Sequence, residues 1–237
     1  ACILSPMQII IGHSVGEGVH HHQPLKTAAM EGIWDTQKGA PALLFAIPDQ
    51  KKEKNYFEIG IPKLASFINT GDWNAELIGL KSVDKSLRPH MFTIFWTFRI
   101  MVGCGLAMIF VSYVGAALFV MGIHQSSIYY LILCMLSSPL GIIAIETGWM
   151  TAEIGRQPWA VYNLLQTHEL ASRINPHQAL TSLLMLIFVY GIIFGYFYFK
   201  YLFKVIAKGP QHQLSEEDLA FHYLSTFGED KDKEGNG

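Results

Sequence analysis

Residues Ile128–Trp159 read IYYLILCMLSSPLGIIAIETGWMTAEIGRQPW. From Ile128 to Ile154 the only charges are Glu146 and Glu153. A bilayer core takes about 20 apolar residues to cross, so the stretch predicts a membrane helix, with Pro139 as a kink. Glu146, Trp149, Glu153 and Arg156 are spaced three, four and three apart. On a helix that spacing gathers all four on one face. Two carboxylates, an indole and a guanidinium at the end of a membrane helix are costly to bury, and they need partners.

Composition agrees with a membrane chain. Of 237 residues, 51% are hydrophobic and 15% charged, against about 25% charged in an average globular chain. The net charge of −2 gives no basis for binding nucleic acid. Two further apolar runs match the first. Met91 to Ile123 holds one charge, Arg99, and opens with the aromatic FTIFWTF expected of an interface belt. Residues 178–204 form the third, with Lys200, Lys204 and Lys208 at spacing four, placed to snorkel. The expected fold class is therefore all-α: an integral membrane helical bundle made of the end of one helix and three transmembrane helices. A large extramembrane loop completes it.

The expected layout follows in order. Residues 1–13 end a transmembrane helix that began upstream, since so short an apolar run does not cross. Residues 14–90 are a polar extramembrane segment, in which any strand near Phe57 is short because Pro62 stops it. Spans follow at 91–123 and 127–154, a connection at 155–177, a span at 178–204 and a tail at 205–237. Lys204 and Lys208 put the tail on the cytoplasmic side and the large loop outside. Cys2, Cys104 and Cys134 form no CxxC and read as packing residues.

For the stripe on the 128–159 segment, the plain reading is an ion pair of Glu153 with Arg156 that locks packing. One arginine does not neutralise two carboxylates, however. A metal or haem iron would, and a proton relay is a third option. A carboxylate on haem iron favours a high-spin state with one face open, and Arg156 would then pair with a propionate. Gly141, Gly148 and Gly155 recur every seven residues and would let a helix or a flat ring approach. Met101, mid-helix, reads first as packing. Arg99 two residues away wants an anion, which makes a thioether-ligated low-spin haem the other reading. Lys26 and Glu31 read either as a solvated turn or as a polar redox site, with Glu31 accepting a proton. His20, His21 and His22 read as exposed, and His13 has no visible partner.

Three motifs carry a family resemblance. GWMTAEIGRQPW (Gly148–Trp159), FRIMVGCG (Phe98–Gly105) and QPLKTAAME (Gln23–Glu31) resemble, in order and spacing, the signatures of subunit I of cytochrome bd-type quinol oxidases. The resemblance covers residues 1 to about 208 and matches that family's C-terminal half, of the short Q-loop type. It implies that Met101 is the axial ligand of a low-spin haem b (b558-type), with Arg99 beside its propionates. It implies that Glu153 ligates a high-spin haem, b595 and/or haem d, with Trp149 packed among the haems and Arg156 near their propionates. Lys26 and Glu31 match residues tied to quinol oxidation, and Glu146 is a candidate for proton handling.

The implied partners are quinol, oxygen, a second oxidase subunit, the N-terminal helices of subunit I and the lipid of a bacterial cytoplasmic membrane. The implied reaction oxidises quinol at the loop and reduces oxygen to water. The segment Gly12–Val19 departs from the family pattern: His13 stands where aspartate is usual and Val15 where histidine is. A truncated or divergent, non-catalytic homologue with a structural or assembly role is the competing reading, and a proton-coupled transporter without haem is another.

Overall fold

The computed structural model describes residues 2–123, 127–170 and 174–209. Part of the 124–127 turn, Arg173 and the tail from residue 210 lie outside them. The chain divides into two compact units, residues 1–171 and 172–237.

The first unit opens with α1 (Leu4–His22), which runs nine residues past the boundary expected at 13. Cys2 Sγ donates to the Ser112 carbonyl at 3.1 Å, and the helix then carries the chain to α2 (Pro24–Glu31). Pro24 starts α2, as its fixed φ and missing N–H suit a first turn. Gly32 ends it at φ 77°, where a Cβ would also press within 3.0 Å of the Phe95 ring. Position 32 is thus restricted to glycine by backbone and by space.

Beyond α2 the extramembrane segment contains strands. β1 (Gln37–Lys38) pairs antiparallel with β4 (Glu76–Leu77), closing the segment on itself. β2 (Ala42–Asp49) and β3 (Lys54–Ile61) form a bulged hairpin, longer than the short strand expected near Phe57. Pro48 sits inside β2 opposite Asn55, and Pro62 follows directly after β3. A two-stranded ribbon leaves one side of each strand unpaired, where the missing N–H of proline is harmless. α3 (Leu64–Thr70) follows. The core lies here, built from Leu25, Ala28, Ala29, Met30, Ile33 and Trp34 against Ala40, Ala65, Leu77 and Leu80, and it is floored by Met91 and Ile94 of the next helix.

Among the described residues, three helical stretches are long and apolar enough to cross a membrane: Lys85–Val120, Ile128–Ile154 and Pro176–Lys208. The first unit holds two of them. α4 (Met91–Val120) starts at His90, whose Nδ1 accepts from Thr93 N. α5 (Ile128–Ser137) starts at Ser127, whose hydroxyl accepts from Tyr130 N. α5 ends at Ser137 with Ser138 as its C-cap, and α6 (Leu140–Ile154) resumes past Pro139, because proline cannot continue the hydrogen-bond ladder.

α4 and α6 pack antiparallel along a seam of notches. Met108 Sδ faces Gly141, Met101 Sδ faces Gly148, and Thr97 and Thr151 share a buried hydrogen bond of 2.8 Å. This seam brings the start of α4, the end of α6 and the extramembrane segment to one end of the unit. A small hairpin, β5 (Trp159–Val161) with β6 (Leu165–Gln166), follows α6.

The second unit is one long helical stretch, formed by α7 (Pro176–Leu186), a π-helical segment (Ile187–Phe194) and α8 (Gly195–Lys208). Asn175 caps it by accepting from His177 N.

Candidate functional site

Two groups of candidate residues lie at the end of the first unit where loop and spans meet. The first centres on Glu31, the last residue of α2. It is 7% exposed and lines a cavity of about 280 Å³ with Trp34, Asp35, Leu43, Glu58 and Lys81. Asn69 of α3, itself buried, donates to the Ala65 carbonyl at 2.8 Å, and its amide favours the charged form of the Glu31 carboxyl. Burial pushes that carboxyl up from the usual range, opposed by the charge of Arg99 and by the Asn69 amide. The wall opposite is fixed by Asn55, which accepts from Trp34 Nε1 (2.9 Å) and donates to Gly32 O (2.8 Å) and to Glu58 Oε1 (2.9 Å).

Arg99 ties this cavity to α4. It donates to the carbonyls of Met30 (2.6 Å) and Phe95 (3.0 Å), and through Nε (2.8 Å) and Nη2 to that of Leu43. Its plane lies 3.3 Å over the centre of the Phe95 ring. Four of the five guanidinium hydrogens are thereby used, and one on Nη2 remains.

Lys26 is not on the Glu31 cavity. Five residues apart on one helix, the two point to different neighbours. Lys26 Nζ donates to the Ala152 carbonyl near the end of α6, at 3.0 Å. Burial, and then the charge of Arg156, lower its pKa, while Glu153 opposes them.

The second group is the α6 stripe. At about 100° per residue, Glu146, Trp149, Glu153 and Arg156 share one face. Gly141, Gly148 and Thr151 turn to α4. The stripe faces away from α4: Trp149 is 64% exposed, and the Glu153 and Arg156 side chains are 44% and 45% exposed. Arg156 pairs with Glu153, as the plain reading of the sequence expected. Glu146 makes no hydrogen bond or ion pair among the described residues. Met101 stands half-buried at the edge of the α4–α6 seam.

Sequence reasoning missed Asn69 and Asn55. Neither belongs to a motif, and only the tertiary fold brings them to Glu31. It also missed that His20 Nδ1, Gln23 Oε1 and Thr27 Oγ1, around the α1–α2 junction, and Trp159 Nε1 are buried without a partner among the described residues. Each such atom costs about 1–3 kcal/mol until a ligand, water or neighbouring chain satisfies it. His13 has a neighbour after all, Glu17 at 3.6 Å. All three cysteines are free.

Residues 1–210 match the family model for cytochrome bd terminal oxidase subunit I. The chain belongs to that family. It is 32% identical over 215 residues to the cytochrome bd ubiquinol oxidase subunit 1 of Bacillus subtilis, covering 85% of this chain and 45% of that protein. It is 31% identical over 192 residues to a putative cytochrome bd menaquinol oxidase subunit I of the same organism, covering 81% and 43%. The bd oxidase structure from Geobacillus thermodenitrificans superimposes with a TM-score of 0.69 at 27% identity, covering 89% of this chain and 48% of that one. The chain thus spans just under half the length of these relatives. With the apolar helices, membership establishes an integral membrane helical bundle of a haem-dependent respiratory oxidase family.

The donor set fits haem. Glu153 presents a hard carboxylate on an open face of α6, beside a guanidinium suited to propionates. Met101 presents a thioether next to Gly148, where no side chain intervenes.

Proposed function

We propose that this chain supplies the C-terminal helices and quinol loop of a bd-type terminal oxidase that oxidises membrane quinol and reduces oxygen to water. Its partners are a second oxidase subunit and the N-terminal helices of subunit I. Haem, when bound, supplies the one-electron carriers and the iron at which oxygen is reduced.

The observation that carries the reading is Glu31: a buried carboxyl on a polar cavity, at the end of the bundle where the α4 aromatics mark the membrane interface. Its raised pKa suits it to take a proton from a quinol hydroxyl and pass it to the loop side. The Asn69 amide favours the charged carboxyl, and Arg99 holds the two backbone segments that frame it. Met101 would hold the iron of a low-spin haem b. Glu153 would hold that of a high-spin haem, b595 or d, with Trp149 alongside. The remaining Nη2 hydrogen of Arg99, and Arg156 once released from Glu153, are available to propionates. Glu146, on the same face and unpartnered among the described residues, is assigned to proton handling. The loop faces outward, and Lys204 and Lys208 mark the cytoplasmic end of the last span.

The test is Glu31→Gln in the assembled oxidase. Quinol-dependent oxygen uptake is expected to fall by about 10²-fold or more, the usual share of a general base, with haem content unchanged. Full quinol turnover in that variant would remove Glu31 from the reaction. A complex that purifies without haem would favour the non-catalytic or transporter readings.

A further inference from the structure

Lys26 sits where α2 meets α6, and three observations define the contact. Its ammonium donates to the Ala152 carbonyl at 3.0 Å. Its stem crosses Gly155, where a Cβ would come within 2.9 Å of both Cγ and Cε. The carbonyls at the end of α6 have few other partners: Gly155 N bonds Thr151 O and Gln157 N bonds Ile154 O, which leaves Ala152 O to the lysine. A cation at a helix C-terminus is also favoured by the helix dipole. The Tyr162 oxygen, in the turn between β5 and β6, lies near the Leu25 backbone in the same turn of α2. At the far end of α2, Arg99 takes the Met30 carbonyl. The helix that ends in Glu31 is therefore pinned at its first turn by the α6 end and at its last turn by α4.

We infer that Lys26 is a positioning residue: its ammonium and the Gly155 groove lock α2, and with it Glu31, onto the end of α6 that carries Glu153 and Arg156. It supports quinol oxidation through that lock and does not touch quinol. The inference rests on the reading of Glu31 as the quinol proton acceptor, and it assigns Lys26 a separate task.

The experiment uses the haem-loaded complex with three variants. Lys26→Met keeps the stem and removes the donor. Gly155→Ala closes the groove, and because its Cβ would also come within 2.5 Å of the Thr151 carbonyl, exchange at the end of α6 is followed beside it. Lys26→Arg restores a donor. Hydrogen exchange of the amides of residues 25–31 is followed without quinol, and quinol kcat and KM are measured alongside.

Lys26→Met and Gly155→Ala are each expected to speed exchange by at least about tenfold, as loss of a charge-assisted tie allows. They should lower kcat with little change in KM and combine without additivity. Lys26→Arg should recover part of the protection. Unchanged exchange in Lys26→Met with a raised quinol KM would make Lys26 a quinol contact and overturn the inference. Should Lys26→Met fail to assemble, exchange in Lys26→Gln, which also removes the charge, decides in its place. The exchange readout does not depend on Glu31: a fully active Glu31→Gln would remove the quinol reading, while faster exchange would still establish the lock.

Discussion

Glu31 and Asn69 form a pair whose chemistry is set by burial. The Asn69 amide stabilises the ionised carboxyl against the desolvation that raises its pKa. Replacing Asn69 with Leu removes the opposing contribution and should push the Glu31 pKa higher. The acid limb of the quinol-oxidation pH profile should then move to higher pH, while haem spectra stay as in the parent. A limb that does not move would separate Glu31 from the rate-controlling proton step. Arg99 differs in kind, because its donors go to backbone of the loop and of its own helix. Arg99→Met strands the buried carbonyls of Met30 and Leu43, a loss of about 1–3 kcal/mol for each group left unpaired. Faster proteolytic cleavage of the 40–60 hairpin would register that loss.

At the level of elements, the α4–α6 seam makes a graded prediction. A Cβ at position 148 would lie 2.9 Å from Met101 Sδ, whereas one at 141 would lie 4.0 Å from Met108 Sδ. Gly148→Ala must displace the Met101 thioether, and Gly141→Ala need not displace anything. If Met101 ligates the low-spin haem, the first variant should shift its reduced absorption band and the second should leave it in place. Equal spectra in both variants would detach Met101 from the iron. Thr97→Val tests the same seam without touching a sulfur. It removes the shared proton with Thr151 at a cost of about 1 kcal/mol, read as a modest drop in the thermal midpoint of the complex.

For the molecule as a whole, Glu31 also sets a pH dependence of stability. Its pKa is raised in the folded state, so the folded chain binds more protons than the unfolded one between the ordinary and the raised value. The contribution of Glu31 to stability is then fully present below the ordinary carboxylate range and is lost as pH rises through the folded value. Glu31→Gln should flatten that decline, so thermal midpoints of parent and variant measured from mildly acidic to neutral pH should diverge as pH rises. The absence of any divergence would place Glu31 in a wetter site than its burial indicates. The spans themselves bury little: within α5, α6, α7 and α8 only Thr151 is buried. Their apolar faces are made for lipid and for other helices.

The sequence by itself determined the membrane class, the apolar spans and the family, because hydropathy is a property of runs and motifs are local in the chain. It also exposed the α6 stripe, since period 3.6 can be counted without a partner helix. The β2–β3 hairpin was not legible: Pro48 and the bulges break the period-2 signal, and cross-strand pairing is non-local. Asn69 meets Glu31 only after 38 residues of chain have folded back, and no local pattern marks it. Tertiary structure also separated two residues that the sequence joined. Lys26 and Glu31 share one short motif, yet the helix turns one toward α6 and the other into the cavity. Direction around a helix axis follows from spacing, but what waits in each direction is decided by packing.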